Sequence, residues 1–128
     1  AGVHENRFKT FIAHDGLFDL KSWFGTTEEL WFATWDIGAY WDSANTHAYK
    51  HGNPSEYANK WNTPILIIQG GIDYRVPIEQ GLQAFQLAQL KGIKSKLLYF
   101  PEENHWVLHP QNAITWQREF FNWLKETL

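Results

Sequence analysis

The chain has 128 residues, 44% hydrophobic and 20% charged, with a formal net charge of −3 and no cysteine. That length suffices for one modest domain with its own core, and the charge balance excludes a polybasic nucleic-acid surface, which needs clustered Lys and Arg to displace counterions. Without thiols there is no disulfide framework, thiolate metal site or cysteine nucleophile.

In chain order, Ala1-Gly2 reads as the tail and C-cap of a helix whose body would lie upstream. The polar run to Asn6 lacks the apolar stretch of a signal peptide. Phe8 to His14 alternates loosely and stops at Asp15-Gly16, which predicts a first strand and a turn. Residues 17–62 are rich in Trp and long for a simple connection. Thr26-Thr27-Glu28-Glu29 is a helix-start signature, with Leu30, Trp31, Phe32 and Trp35 as a bulky apolar face and Asp36-Ile37-Gly38 as the stop. Asn53-Pro54-Ser55 opens another helical turn. The expectation for this segment is several short helices over the carboxyl edge of a sheet, forming a lid or pocket wall.

Ile65-Leu66-Ile67-Ile68, opened by Pro64 and closed by Gly70-Gly71, reads as a strand buried on both faces. Val76-Pro77-Ile78-Glu79 starts a helix with Leu82, Phe85, Leu87, Ala88 and Leu90 as its apolar face, ending at Lys91-Gly92. Lys96 to Phe100 is the next strand, stopped by Pro101. A polar loop, Glu102 to Trp106, leads to a last helix from Pro110, with Ile114, Phe120, Phe121, Trp123 and Leu124 apolar. Each gap between strands is long enough for a crossover, so the sheet is expected to be parallel, with three strands. The fold class is α/β. No run of about 18 apolar residues exists, so no segment is expected to cross a membrane.

Asp73 and His105 each lie just past the carboxyl end of a strand, where α/β sheets hold catalytic groups. They are 32 residues apart, one crossover helix plus one strand. Neighbouring parallel strands lie about 4.8 Å apart, so loops leaving the same edge can bring carboxylate and imidazole together. Such an Asp fixes the His tautomer and stabilises the imidazolium that forms when His takes a proton from a nucleophile. In α/β-hydrolases the chain order is nucleophile, acid, His, and these two are in that order. The four serines, Ser22, Ser43, Ser55 and Ser95, all lack the glycines of a G-x-S-x-G elbow, so the nucleophile is expected before Ala1.

G-G-I-D-Y-R-V-P and, further on, F-P-E-E-N-H-W resemble the carboxyl-terminal part of the prolyl oligopeptidase family of serine peptidases, its dipeptidyl-peptidase V and acylaminoacyl-peptidase branch above all. N-R-F-K-T-F-I-A-H-D-G, T-T-E-E-L-W-F, W-N-T-P-I-L-I-I-Q-G and W-Q-R-E-F-F-N-W-L extend the likeness over nearly the whole chain. The resemblance implies that residues 1–128 are the last part of an α/β-hydrolase peptidase domain, three parallel strands with crossover helices. The nucleophile and any β-propeller would lie outside it. It further implies an exopeptidase using a Ser-Asp-His triad, with Asp73 as the acid and His105 as the general base. A substrate pocket near Leu17, Phe18, Trp23 and Phe24 would prefer apolar side chains. Plain core packing accounts for those residues equally well. Arg75 could meet a substrate carbonyl, and a surface charge is the simpler account of it.

Other constellations are weaker. His47/His51 and His105/His109 have i, i+4 spacing, but no H-E-x-x-H motif completes a metal site, and His109 precedes Pro110, which disfavours helix. Glu102 and Glu103 are adjacent and point apart, unlike a glycosidase pair. No metal or cofactor is expected. The 8 Trp, 9 Phe and 5 Tyr leave open a second reading, a non-catalytic aromatic-rich module for carbohydrate, although cores and interfaces also account for such content. The expected partners are a peptide substrate and either the rest of the same polypeptide or a second copy, paired through the exposed first strand. The resemblance also points to a bacterial periplasm.

Overall fold

The computed structural model describes residues 7–128, so the expected helix tail at Ala1-Gly2 lies outside the described residues. The elements are β1 (Phe11–His14), α1 (Leu20–Thr26), α2 (Leu30–Asp36), α3 (Thr46–His51), β2 (Ile65–Gly70), α4 (Ile78–Leu90), β3 (Ser95–Phe100) and α5 (Pro110–Thr127). Single 3₁₀ segments, Ser43–Asn45 and Pro54–Lys60, flank α3. The three strands form one parallel sheet in the order β1-β2-β3.

The apolar run makes β2 the middle strand, with all six residues buried. Successive side chains point to opposite faces of a strand, and β2 divides its run accordingly. Ile65 and Ile67 pack with Ala84 and Ala88 of α4, whereas Leu66 and Ile68 pack with Phe100 and with Trp123 of α5. β1 starts at Phe11, three residues later than Phe8. Its register pairs Phe11 with Ile65, and the residue before Ile65 is Pro64, which has no N–H to extend the ladder.

α4 begins after Pro77 and stops at Lys91, with Gly92 in the left-handed region at φ +67°, as its sequence predicts. Its buried face differs from expectation. Gln80, Gly81, Ala84 and Ala88 face inward, while Leu82 and Leu90 are exposed, Leu90 at 76%. The helix lies so close to the sheet that a Cβ on Gly81 would come within 2.9 Å of Gln69 Oε1, so small residues take the contact. In α5 the expected apolar positions Ile114 and Phe121 are exposed. Trp123, 1% exposed, fills the core and donates from Nε1 to Thr10 Oγ1 at 2.7 Å.

Short helices do occupy residues 17–62. Their own core is Leu20, Trp23, Phe24, Ala33 and Tyr49. Thr27 ends α1 and turns the chain into α2, its hydroxyl accepting from Glu29 N at 3.1 Å. The bulky face expected of α2 points outward. Only Ala33 is buried, and Leu30, Trp31, Phe32 and Trp35 are exposed, Trp35 at 88%. A seven-residue helix makes two turns, and its smallest residue takes the tight contact.

Candidate active site

Parallel strands put their carboxyl ends on one edge, and a charged or titratable residue follows each of the three: Asp15 after β1, Asp73 after β2 and His105 after β3. The last two loops run against each other because Gly70 and Gly71 carry no side chain. A Cβ on Gly70 would collide with the Asn104 carbonyl oxygen and lie 2.6 Å from that of Glu103; one on Gly71 would lie 2.5 Å from Pro101 O. Close backbone approach is what glycine allows here. Gly71 N donates to Phe100 O (2.8 Å) and Ile72 N to Glu103 O (3.0 Å), which fastens the loops together.

Asp73 is buried, and both its oxygens are engaged. Oδ1 accepts from Arg75 N at 3.0 Å and Val76 N at 2.9 Å, which makes Asp73 an Asx-turn residue. Oδ2 lies 2.8 Å from His105 Nδ1. A carboxylate can only accept, so Nδ1 carries the proton and Nε2 is left with its lone pair. The loop that carries His105 is folded around Glu103, 1% exposed. Its Oε2 accepts from Leu108 N (2.9 Å), and its Oε1 accepts from His109 N (3.0 Å), His109 Nδ1 (2.9 Å) and Asn112 Nδ2 (2.7 Å). Burial works against the charge, but the bonds from Leu108, Asn112 and His109 outweigh it and hold the carboxyl down to about 2.

Asp15 stands beside the pair. It has positive φ (48°), its N donates to Ile68 O at 3.0 Å, and its Oδ2 lies 3.8 Å from His105 Nδ1 and 3.1 Å from His14 Nε2. Burial first, and then the charge of Asp73, push its carboxyl up to about 7. Burial, and then His105, push the His14 imidazole down.

The structure brings Asp73 and His105 together as the sequence predicts. Trp23 is buried in the helical layer and reaches the Asp73 turn through a 2.9 Å bond from Nε1 to Arg75 O. Phe24 is buried in the same layer, edge-on to Tyr40 and Trp41. Phe18 is half-buried against Trp61 and lines an apolar cavity of about 420 Å³ beside β1 and α4. The Arg75 guanidinium makes two contacts, Nη2 2.8 Å from Glu29 Oε1 and its carbon 5.2 Å from the centre of the Trp106 ring. Three of the serines are engaged elsewhere: Ser22 with Gln80 and Gln83, Ser55 with Asp19, Ser95 with Gln89 and Ile93. The His47 and His51 rings lie tilted at 44° with centroids 4.8 Å apart, and His109 turns to Glu103. Among the described residues, the group of three carboxylate or imidazole side chains close enough to share an ion is Asp15, Asp73 and His105, with atoms within 4.8 Å.

Two residues of this site escape the strand-end reading above. Glu103 is visible in sequence only as half of an adjacent acid pair. Asp15 follows a strand just as Asp73 and His105 do, and the same rule applied to β1 singles it out.

A parallel sheet with an Asp after one strand and its His after the next, joined at 2.8 Å, is part of an α/β-hydrolase fold. Solved structures agree on the fold. Pyrococcus horikoshii acylaminoacyl peptidase superposes over all of this chain and 21% of its own, with a TM-score of 0.87 at 22% identity. Porphyromonas gingivalis dipeptidyl peptidase 4 superposes over 97% of this chain and 17% of its own, with a TM-score of 0.80 at 15% identity. By sequence the chain belongs to the prolyl oligopeptidase family, whose model matches residues 1–128. It is 50% identical to a dipeptidyl-peptidase 5 of Porphyromonas endodontalis over 131 residues, covering all of this chain and 19% of that protein. It is 41% identical to the dipeptidyl-peptidase 5 of Schizosaccharomyces pombe over 119 residues, covering 92% of this chain and 17% of that one. The chain thus spans about a fifth of the length of these curated relatives. Among the described residues no helix is long and apolar enough to cross a membrane.

Proposed function

We propose that residues 1–128 are the carboxyl-terminal part of the peptidase domain of a longer serine exopeptidase, with Asp73 as its acid and His105 as its general base. The observation that carries this reading is the 2.8 Å contact between His105 Nδ1 and Asp73 Oδ2, with the other Asp73 oxygen anchored on two backbone N–H groups. With Nδ1–H directed at Asp73, Nε2 takes the proton of a serine supplied by the preceding chain as its Oγ attacks the scissile carbonyl. His105 then gives that proton to the leaving amine, an acyl-enzyme forms, and water enters by the same steps in reverse. The names of the relatives support dipeptides, or acylated amino acids, as the released product. The reading includes an apolar substrate pocket in which Phe18 lines the wall, with Trp23 and Phe24 packed behind it in the helical layer. The proposal includes a periplasmic location, which cell fractionation checks.

A fluorophosphonate probe tests the core of the reading. The full-length protein is labelled on serine, His105→Ala abolishes labelling, and residues 1–128 alone take no label. Labelling of the isolated chain contradicts the proposal. Comparing peptides with free and with acylated amino termini identifies the product class. β1 pairs only with β2 among the described residues, so one edge of it is open. Open edges recruit another strand: the preceding chain in the full protein, or a second copy in the isolated piece. A monodisperse monomer of the isolated chain in light scattering counts against this part.

A further inference from the structure

The mechanism above gives Asp15 no task, yet its side chain is 4% exposed and lies within 4.8 Å of both groups of the pair. We propose that Asp15 is a positioning residue that shares one proton with Asp73, and so sets the charge that His105 faces. This rests on the reading of Asp73 and His105 as acid and base.

The argument begins with the unequal surroundings of the two carboxyls. Asp73 has two backbone N–H groups on one oxygen and the imidazole on the other. Asp15 Oδ1 is buried and has no hydrogen-bond partner among the described residues. Two buried carboxylates this close do not both ionise without cost, and the proton goes to the one with fewer donors. Asp15 is therefore the neutral acid below its raised midpoint of about 7, and a second anion above it. The titratable groups that face it are His14 from β1, Asp73 from the turn after β2 and His105 from the loop after β3. α5 contributes Trp116, whose ring lies 5.9 Å from that of His14. His14 is pushed toward its neutral form, so it does not supply the missing cation.

The sign follows. When Asp15 loses its proton, His105 gains a nearby negative charge, which favours the imidazolium. Proton uptake by His105 is thus coupled to Asp15. The left-handed backbone at Asp15 is one that Asn adopts readily, so Asp15→Asn keeps the turn and removes the titration.

The test is an NMR titration of the full-length protein, reading the Asp15 carboxyl carbon, with a pH profile of kcat/KM beside it. In the wild type the Asp15 carbon titrates near pH 7, and Asp15→Asn loses a limb of the profile near neutrality. An Asp15 carbon that titrates near 4, the ordinary range of an aspartate, overturns the proposal, and that readout needs no variant at all. So do superimposable profiles for the two proteins. If no peptide is hydrolysed but the Asp15 carbon titrates near 7, the peptidase reading fails and the shared proton stands.

Discussion

Replacing Asp73 with Asn in the full-length protein lowers kcat by about 10⁴-fold, with little change in KM, the size of effect this substitution has in a serine triad. The geometry says why. The amide oxygen of Asn still accepts from Arg75 N and Val76 N, so the turn survives. The amide nitrogen then faces His105 Nδ1, where Asp73 Oδ2 now sits at 2.8 Å. A donor there favours the tautomer with the proton on Nε2, the nitrogen that has to be free. His105→Ala is as damaging, and the double variant is no worse than the poorer single one, because acid and base act as a unit. Steady-state kinetics, with a denaturation curve to show that the fold is intact, decides it. A loss of less than tenfold in Asp73→Asn removes Asp73 from its assigned role.

Glu103→Gln destabilises the domain by about 3 kcal/mol, the scale for leaving a buried charge-assisted network half-satisfied. It also lowers kcat, because the loop it anchors carries His105. Gln has one acceptor oxygen. If that oxygen keeps His109 N, His109 Nδ1 and Asn112 Nδ2, its amide nitrogen is set against Leu108 N, donor to donor. The pH dependence has a definite sign. The carboxyl falls from 4.5 to about 2 on folding, so its contribution is complete above about 4.5 and is lost as pH falls toward 2. The Gln variant loses that slope. Urea unfolding at pH 7 and pH 3 measures both effects; equal midpoints for variant and wild type at pH 7 exclude Glu103 as the anchor.

How much of this was legible in the sequence depends on how local the cause is. β2 is written in four consecutive apolar residues, and α4 in a Pro before and a Gly after, so both stand out. Asp73 and His105 follow from strand ends alone. The layer over residues 17–62 is specified at a distance. Gln80 Oε1 accepts from Phe18 N and Asp19 N, some 60 residues earlier, and Asn53 Oδ1 accepts from Leu20 N. No pattern near residue 18 encodes those bonds, although Asp19 three residues before Ser22 was a readable N-cap for α1. Periodicity also failed to say which aromatics were core. Trp31 and Trp35 on α2 point to solvent, whereas Trp23 and Trp123 are buried. Hydrophobicity marks a side chain that prefers to leave water, without naming what covers it.

The helical layer is stitched to the turn that carries Asp73. Trp23 Nε1 and Thr27 Oγ1 both donate to Arg75 O, Glu28 N donates to Tyr74 O, and Glu29 pairs with the Arg75 side chain. On the proposed function, a substitution in the helical layer that reshapes the substrate pocket also pulls, through those four fastenings, on the turn that holds Asp73. A change of selectivity would then arrive together with a change of turnover, and would call for repair at that turn.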